Sequence, residues 1–411
     1  MEAFFIELLT DIFRLSIQIA PYWLPLVSGF ILWRLWLFYV RAQHISAIQW
    51  TTLEIRLARE MTKTPLAMEL VLNAFYQRGT ISTFIQRYWY GNLRPWFSLE
   101  LVSIEGNIHF IVRTPVFFKP IIEAQIYAQY PDSAVSEVKD YTERVPYGAP
   151  DSPWLLWGAE FKLTKADPYP IKTYVDYGLD KEGVREEYKI DPITSMMEYL
   201  ASIGKDQEIW IQILVRQAEN RFPKPGSWFG NRGWKEEAAD LVNKLMKEVS
   251  EKGKKRQAGN GEFKLSQQTK GEEQVISAIE RSAAKYGFDC GIRGLYLAKE
   301  GAFNPVNIVG LVGSWRQYNS ENLNGFTLSH STGTDYPWED FRDIRASRMK
   351  AHLFDAYRRR SYFYPPYQRR PFILNTEELA TIYHFPGAVA ETPTLPRLES
   401  KRAEPPANLP L

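Results

Sequence analysis

The chain has 411 residues, 45% of them hydrophobic and 24% charged. Those proportions exclude a disordered chain and leave room for two or three ordinary domains. Lys and Arg number 50 against 48 Asp and Glu, a net charge of +2, which excludes a strongly basic nucleic-acid coat but not a local basic patch. A lone cysteine, Cys290, excludes an intrachain disulfide or a cysteine metal cage and fits a reducing compartment for the soluble part.

The first element is apolar. From Ile17 to Trp33 the polar side chains are Gln18, Tyr22, Ser28 and the indole N–H groups, and apolar character resumes from Leu35 to Val40. A run of roughly 20 such residues crosses a bilayer. Pro21 and Pro25 are tolerated there, and Trp23, Trp33, Trp36 and Tyr39 suit interfacial belts. Met1–Arg14 carries Phe4, Phe5, Leu8, Leu9 and Ile12 at helical spacing, the pattern of a surface-lying segment; one spanning helix within residues 1–45 is the preferred reading. Glu2, Glu7 and Asp11 precede it, and Arg34, Arg41 and His44 follow. The excess of cations after the span places the N-terminus outside and the bulk of the chain in the cytoplasm of a single-pass inner-membrane protein.

Over 48–145 the pattern predicts β-α-β-β-α-β. "WTTLEIRLA" alternates as a strand; "TPLAMELVLNAFYQ" is a helix with Thr64 as N-cap and Pro65 at its first position. "WFSLELVSI" and "IHFIVRTP" form a hairpin through Glu105-Gly106-Asn107. "KPIIEAQIYAQYP" is a helix and "AVSEVKDYT" the closing strand. This is the split βαβ order of a ferredoxin-like unit. A second α+β unit is expected over 150–330. "LLWGAEFKLTK" and "IKTYVDY" read as strands, "DPITSMMEYLASIG" as a helix capped by Asp191 and stopped at Gly204, and "QEIWIQILVRQA" as a central strand. "WKEEAADLVNKLMKEVSEK" is an amphipathic helix, residues 252–272 a flexible polar loop, "EEQVISAIERSAAKYG" a helix, "GIRGLYLAK" a strand and "NPVNIVGLVGSWRQY" a helix. "ENLNGFTLSHSTGTDYP" reads as loop. A helical part follows over 336–387, led by "WEDFRDIRASRMKAHLFDAYRRRSYF", and 388–411 reads as a Pro-rich extended tail. The fold class is therefore α+β: a transmembrane helix, ferredoxin-like units and a helical C-terminal part.

Catalytic signals are sparse. No phosphate-loop pattern occurs; "GSWFGNRGWK" has the wrong spacing. "GFDCGIRG" enters a strand instead of opening a helix. His44, His109, His330, His352 and His384 lack partners at metal-ligand spacing. Ser329, His330 and Asp335 lie too close in sequence to act as a triad. No cofactor or metal is called for, and a non-enzymatic protein is expected.

One patch stands out. "YRRRSYFYPPYQRRP", from Tyr357 to Pro371, interleaves Arg358, Arg359, Arg360, Arg369 and Arg370 with Tyr362, Tyr364 and Tyr367. Arginine grips phosphate bidentately and aromatic faces stack on bases. The same mixture serves protein interfaces and anionic lipid headgroups, and a helix end with a solvated basic face is the plainer account.

The end of the chain carries a resemblance. "FILNTEELATIYHFPG", from Phe372 to Gly387, then "TPTLPRLESKRAEPPANLP", resembles the segment just before the motor domain of bacterial FtsK–HerA-type ATPases of conjugative transfer and type IV secretion. Trp50–Ile55, Lys63–Glu69 and "YAQYPDSAVSEVKDYT" from Tyr127 are similar to the N-terminal region of that family. The resemblance covers most of the chain after residue 45 and is sharpest over Leu374–Pro386. It implies a membrane-bound transfer machine, with this chain as an accessory or scaffold subunit. No motor motif is present, so a separate ATPase or another secretion subunit is the expected partner. The expected docking helix bears Asn375, Thr376, Glu377, Glu378, Leu379 and His384, with Asn375 and Glu378 at capping-box spacing. A membrane-tethered nucleic-acid-binding protein using the Arg/Tyr patch is the alternative, and a homo-oligomer remains an option.

Overall fold

The computed structural model describes residues 17–58, 63–77, 83–148, 152–180, 190–220, 222–223, 231–259, 269–333, 338, 340–387 and 397–398, with 5–6, 10 and 14. The expected surface-lying segment Met1–Arg14 and the tail 388–411 fall mostly outside them. The chain forms two compact units: residues 1–49 with 78–94, and residues 50–77 with 95–411.

The first unit holds α1 (Ala20–Ala47), long and apolar enough to cross a membrane. Its only buried residue is Val40. Pro25 lies inside the helix, and the Ser28 hydroxyl donates to the Leu24 carbonyl at 2.8 Å and the Pro25 carbonyl at 3.1 Å. A one-turn helix, Phe84–Tyr88, packs in the same unit.

The second unit starts with β1 (Trp50–Ala58), α2 (Pro65–Leu72), β2 (Phe97–Ile104), β3 (Asn107–Pro115), α3 (Lys119–Gln129) and β4 (Ala134–Glu137). Glu105 and Gly106 both take positive φ, the mirror-image turn that matches strand twist in a two-residue hairpin. The strands pair in the order β4-β1-β3-β2, all antiparallel, which is the split βαβ arrangement expected over 48–145.

Next come β5 (Trp154–Leu163), α4 (Pro192–Ala201), β6 (Gln207–Gln217), the two-residue pair β7 (Phe222–Pro223) and β8 (Asn231–Arg232), α5 (Trp234–Gly259), α6 (Lys270–Ala283), β9 (Gly287–Lys299), α7 (Val306–Gly313) and β10 (Phe326–Ser331). Their order in the sheet is β6-β9-β5-β10. This repeats the first half strand for strand, with α5 and α6 replacing the hairpin turn. Matching positions keep matching residues: Leu53-Glu54-Ile55-Arg56-Leu57 against Ala159-Glu160-Phe161-Lys162-Leu163, and Thr64-Pro65 against Asp191-Pro192 at the helix starts.

The halves do not stand apart as two domains. β2 pairs antiparallel with β6 over Phe97–Ile104, so one sheet runs through both, and a half-turn about an axis between β2 and β6 relates them. The expected boundary near 145–150 is a connection within one body. β6 is buried from Glu208 to Gln217, as a central strand should be.

Three other expectations change. "IKTYVDY" is no strand: the Ile171 and Tyr174 N–H groups donate to the side chains of Glu378 and Thr381 at 2.9 and 3.0 Å, so no ladder can claim them. "FTLSHS" is β10, because the free edge of β5 recruits it. Part of the loop expected over 252–272 is helical, since α5 continues to Gly259 and α6 begins at Lys270; residues 260–268 lie outside the described residues.

The chain closes with α8 (Ile344–Arg358), β11 (Phe372–Asn375), α9 (Thr376–Ile382) and β12 (Arg397–Leu398). Odd positions of β2 and β6 (Leu99, Leu101, Ile211, Ile213) face a core made with α2, α3, α4, α7 and α9. The opposite face carries Val102, Trp210, Leu295 and Leu297 under Leu353, Phe354 and Tyr357 of α8. The segment after α8 crosses this face. β11 then pairs with β9, and α9 enters the helical core. At Gly291 the ring of Tyr362 occupies the space a Cβ would need. Gly291→Ala is therefore expected to destabilise the protein by about 1–3 kcal/mol in urea unfolding. In a Tyr362→Ala background that penalty should disappear; an equal penalty in both backgrounds would show that the ring contact is not its cause.

Candidate functional site

Several strands carry a polar residue in the middle of an apolar run: Glu54, Glu100, Glu160, Gln212 and Arg293. The ladder register puts them in one row across the sheet. Glu54 lies opposite Ile111, Ile111 opposite Glu100, Glu100 opposite Gln212, Gln212 opposite Arg293, and Arg293 opposite Glu160. Each of the five polar members is buried. A buried charge is tolerated only when paired and hydrogen-bonded, so the row must find partners above the sheet.

The Arg/Tyr segment supplies them. Arg360 donates to Glu100 from Nε at 2.9 Å and from Nη2 at 3.1 Å, a bidentate fork. It also reaches Asp140 at 2.5 and 3.1 Å. Ser98, Tyr141 and Gln212 donate to the same Glu100 carboxylate at 2.6, 2.8 and 3.1 Å. Arg293 pairs with Glu160 at 3.0 Å, donates to the Ala356 carbonyl at 3.1 Å, and lies 5.0 Å from the centre of the Tyr362 ring. Arg369 takes the other Glu160 oxygen at 3.0 Å. Arg216, paired with Asp289 at 3.0 Å, lies against Phe363 and Tyr364. Arg359 and Tyr367 both bond Asp355. At Glu54, outside the segment's reach, His109 and Arg56 serve instead.

The electrostatics agree. Burial alone would push the Glu100 carboxyl up, but the Arg360 charge and the surrounding donors hold it below the usual range. Asp140 is likewise brought down to about 2, with burial opposing and Arg360 and Arg113 prevailing. The Tyr141 and Tyr357 hydroxyls, 2.8 Å apart, are pushed well up, chiefly by burial.

The sequence-predicted binding patch is thus corrected. Arg358, Arg359 and Arg370 are exposed; Arg360 and Tyr362 are buried; Tyr364, Tyr367 and Arg369 are half-buried and bonded inward. Arg360, Tyr362, Tyr364 and Arg369 neutralise and cover the sheet, so the arginines and tyrosines do not form one continuous surface for nucleic acid. The strand residues they answer to, Glu100, Glu160, Gln212 and Arg293, were not singled out from the sequence. Their signal was a polar residue flanked by apolar ones within a strand.

The expected docking helix is corrected in the same way. Asn375, Thr376, Glu377, Glu378, Leu379 and His384 are all buried. The capping box forms, with Asn375 Oδ1 accepting from the Glu378 N–H and Glu378 Oε2 from the Asn375 N–H, each at 2.8 Å. Glu377 accepts from Thr173 and pairs with Arg281 and Lys285. Thr376 donates to Glu69 at 3.0 Å, and His384 Nε2 lies 3.0 Å from Asp191. Burial would raise the Asp191 carboxyl, but His384 holds it below its usual range. Side chains so committed present no surface to a partner.

No cluster of three or more His, Cys, Asp or Glu able to hold a metal occurs among the described residues. Cys290 is buried in β9. Two open grooves of about 440 and 530 Å³ flank the first turn of α6, one beside Tyr169 and Glu248, the other beside Asp176 and Arg281. Residues 43–397 match the sequence model of a family described as a domain of unknown function. No curated protein matches the chain.

Two outcomes follow from this geometry. Removing Arg360 strands Glu100, so Arg360→Met is expected to cost about 3–5 kcal/mol in denaturant unfolding, and adding Glu100→Gln should recover a large part of it. A double variant no more stable than the single one would contradict the pairing. Glu378 is pushed up to about 8, first by burial, against the pull of its two N–H donors. Its folded value exceeds the ordinary 4.5, so its contribution is full below about pH 4.5, declines as pH rises, and is gone above about pH 8. Glu378→Gln, neutral throughout, should therefore show a shallower loss of unfolding midpoint between about pH 5 and about pH 8; parallel profiles would refute the raised value.

Proposed function

Because the chain belongs to the DUF8128 family, residues 43–397 matching it, we propose its role from its own geometry: a membrane-anchored, non-enzymatic scaffold subunit of a bacterial type IV secretion or conjugative-transfer-like machine, to which a separate motor ATPase docks. The observation that carries this reading is the pairing of an exposed apolar span, α1, with a body whose row of buried charges is paired within its own interior. A protein built this way offers rigidity and a fixed address at a bilayer. The resemblance of Leu374–Pro386 to the segment before FtsK–HerA-type motors supplies the setting. With α9 buried, its side chains cannot make the contact, and the chain after Leu398 is the part assigned to the motor. The cations Arg34 and Arg41 after the span favour a cytoplasmic body.

The detergent-solubilised full chain should co-elute with a purified FtsK–HerA-type ATPase encoded beside it. Truncation after Leu398 should abolish co-elution while leaving the melting temperature unchanged. Failure of the full chain to co-elute would sink the docking proposal. For orientation, buried Cys290 gives a silent background. A Thr10→Cys variant should react with a membrane-impermeant maleimide in intact spheroplasts and a Lys162→Cys variant only after lysis; the opposite pattern would reverse the topology.

A further inference from the structure

Within the anchor unit, the residues from Thr83 to Gly91 fold back onto α1. Thr83 caps the short helix Phe84–Tyr88 in a reciprocal box with Gln86. The Trp36 indole N–H donates to the Tyr88 carbonyl at 3.0 Å. Trp36 stacks obliquely on Trp89 with ring centres 5.2 Å apart, and Trp33 meets Tyr88 at 5.7 Å. Gly91 then presses on the α1 backbone at Val40 and Arg41, where a Cβ would come within 2.6 Å of the Val40 carbonyl carbon. Its φ of +65° also favours glycine. The segment is thus held on α1 between Trp33 and Arg41, a length of about 12 Å at 1.5 Å per residue.

What it holds outward is apolar. Phe84 is 70% exposed, Ile85 60%, Trp89 62% and Tyr90 64%. A water-facing surface does not gather such residues in one contiguous patch without an occupant. The stretch of α1 that the segment packs on is itself apolar and exposed at Leu35, Phe38 and Tyr39. Its position along α1 matters as well. The uncharged run ends at Trp33 and the first cation is Arg34, so the contacts with Trp33 through Arg41 fall where the helix leaves hydrocarbon. Tryptophan and tyrosine beside arginine, here with Arg87 exposed on the short helix, is the composition of the headgroup boundary. There the indole ring meets acyl chain while its N–H and the guanidinium meet water and phosphate.

We infer that Thr83–Gly91 is a second membrane contact, a wedge lying in the lipid headgroup–acyl boundary beside the exit of α1. The occupant of the exposed patch is lipid. The inference rests on the reading of α1 as a membrane span. The wedge is an insertion between the helix α2 and the strand β2 of the soluble body, so the chain enters the anchor unit twice, once from the N-terminus and once from inside the fold.

Spin labels test this in the full chain reconstituted into vesicles of neutral and anionic phospholipid, with accessibility to oxygen and to a water-soluble nickel chelate read at four positions. Ile85→Cys and Tyr90→Cys report the wedge and leave the Trp36, Tyr88 and Trp89 contacts intact; Leu26→Cys reports the span and Lys162→Cys the body. Labels at 85 and 90 should lie about 5–10 Å into the boundary, with 26 in hydrocarbon and 162 in water. Water-like labels at 85 and 90 with 26 in hydrocarbon would overturn the wedge and leave the span standing. Labels at 85 and 90 immobilised and shielded from both reagents would overturn it in favour of a protein cover. A water-like label at 26 would remove the span and this inference together.

Discussion

A charge placed in the middle of a two-sided sheet must be met from above, and the second unit is organised around that requirement. Glu100 lies on β2 next to the joint between the two halves, fully buried. Alone it would be expelled or protonated. Arg360 answers it from a segment 260 residues later in the chain. Asp140 then balances the second side of the guanidinium, and Arg113 balances Asp140. Farther along the row, Arg293 and Arg369 both address Glu160. The C-terminal segment is therefore bound to one register over the sheet, since a shift would leave several charges unmet at once. Buried ion pairs of this kind add little net stability compared with apolar packing, but breaking one partner is severe. They act here as a key for position.

The same segment closes the molecule. From α8 on one face it passes along the edge as β11 and enters the opposite face as α9. There Thr376 bonds Glu69 of α2, Asn375 bonds Ser282 of α6, and His384 meets the cap residue of α4. α2 belongs to the first half and α4 to the second. Two similar halves joined edge to edge share the β2–β6 ladder and a few contacts of α2 and its end, such as Glu69 with Tyr174 and Lys285 and Tyr76 with Tyr286. The clasp adds a helix packed between their helices and a covering layer over their common polar row. This explains why Arg360, Tyr362, Tyr364, Tyr367 and Arg369 of so conspicuous a string turn inward.

The buried polar groups of the row are committed to architecture. The protein's proposed setting at a membrane follows from α1 and is reinforced by a wedge that belongs to the anchor unit though it is inserted within the body's sequence.

Local physics was legible from the residues alone. The apolar span, the turn at Glu105-Gly106, the Pro65 and Pro192 helix starts, and the capping box of Asn375 with Glu378 all rest on interactions within a few positions, and each is present. Alternation likewise marked most strands, and it carried the polar residues of the row in plain view. Their purpose was hidden, because the register that aligns Glu100, Gln212, Arg293 and Glu160 is set by pairing between residues that lie 112, 81 and 133 positions apart. The same holds for "IKTYVDY", whose backbone donors are taken by α9, and for "FTLSHS", drawn into a strand by an open edge. Sequence by itself determined most of the elements, the first half's topology and the length and apolarity of α1. Only the tertiary structure decided which faces the arginines, tyrosines and terminal helix present, because a charged side chain turns inward or outward according to the partner that distant strands bring beneath it.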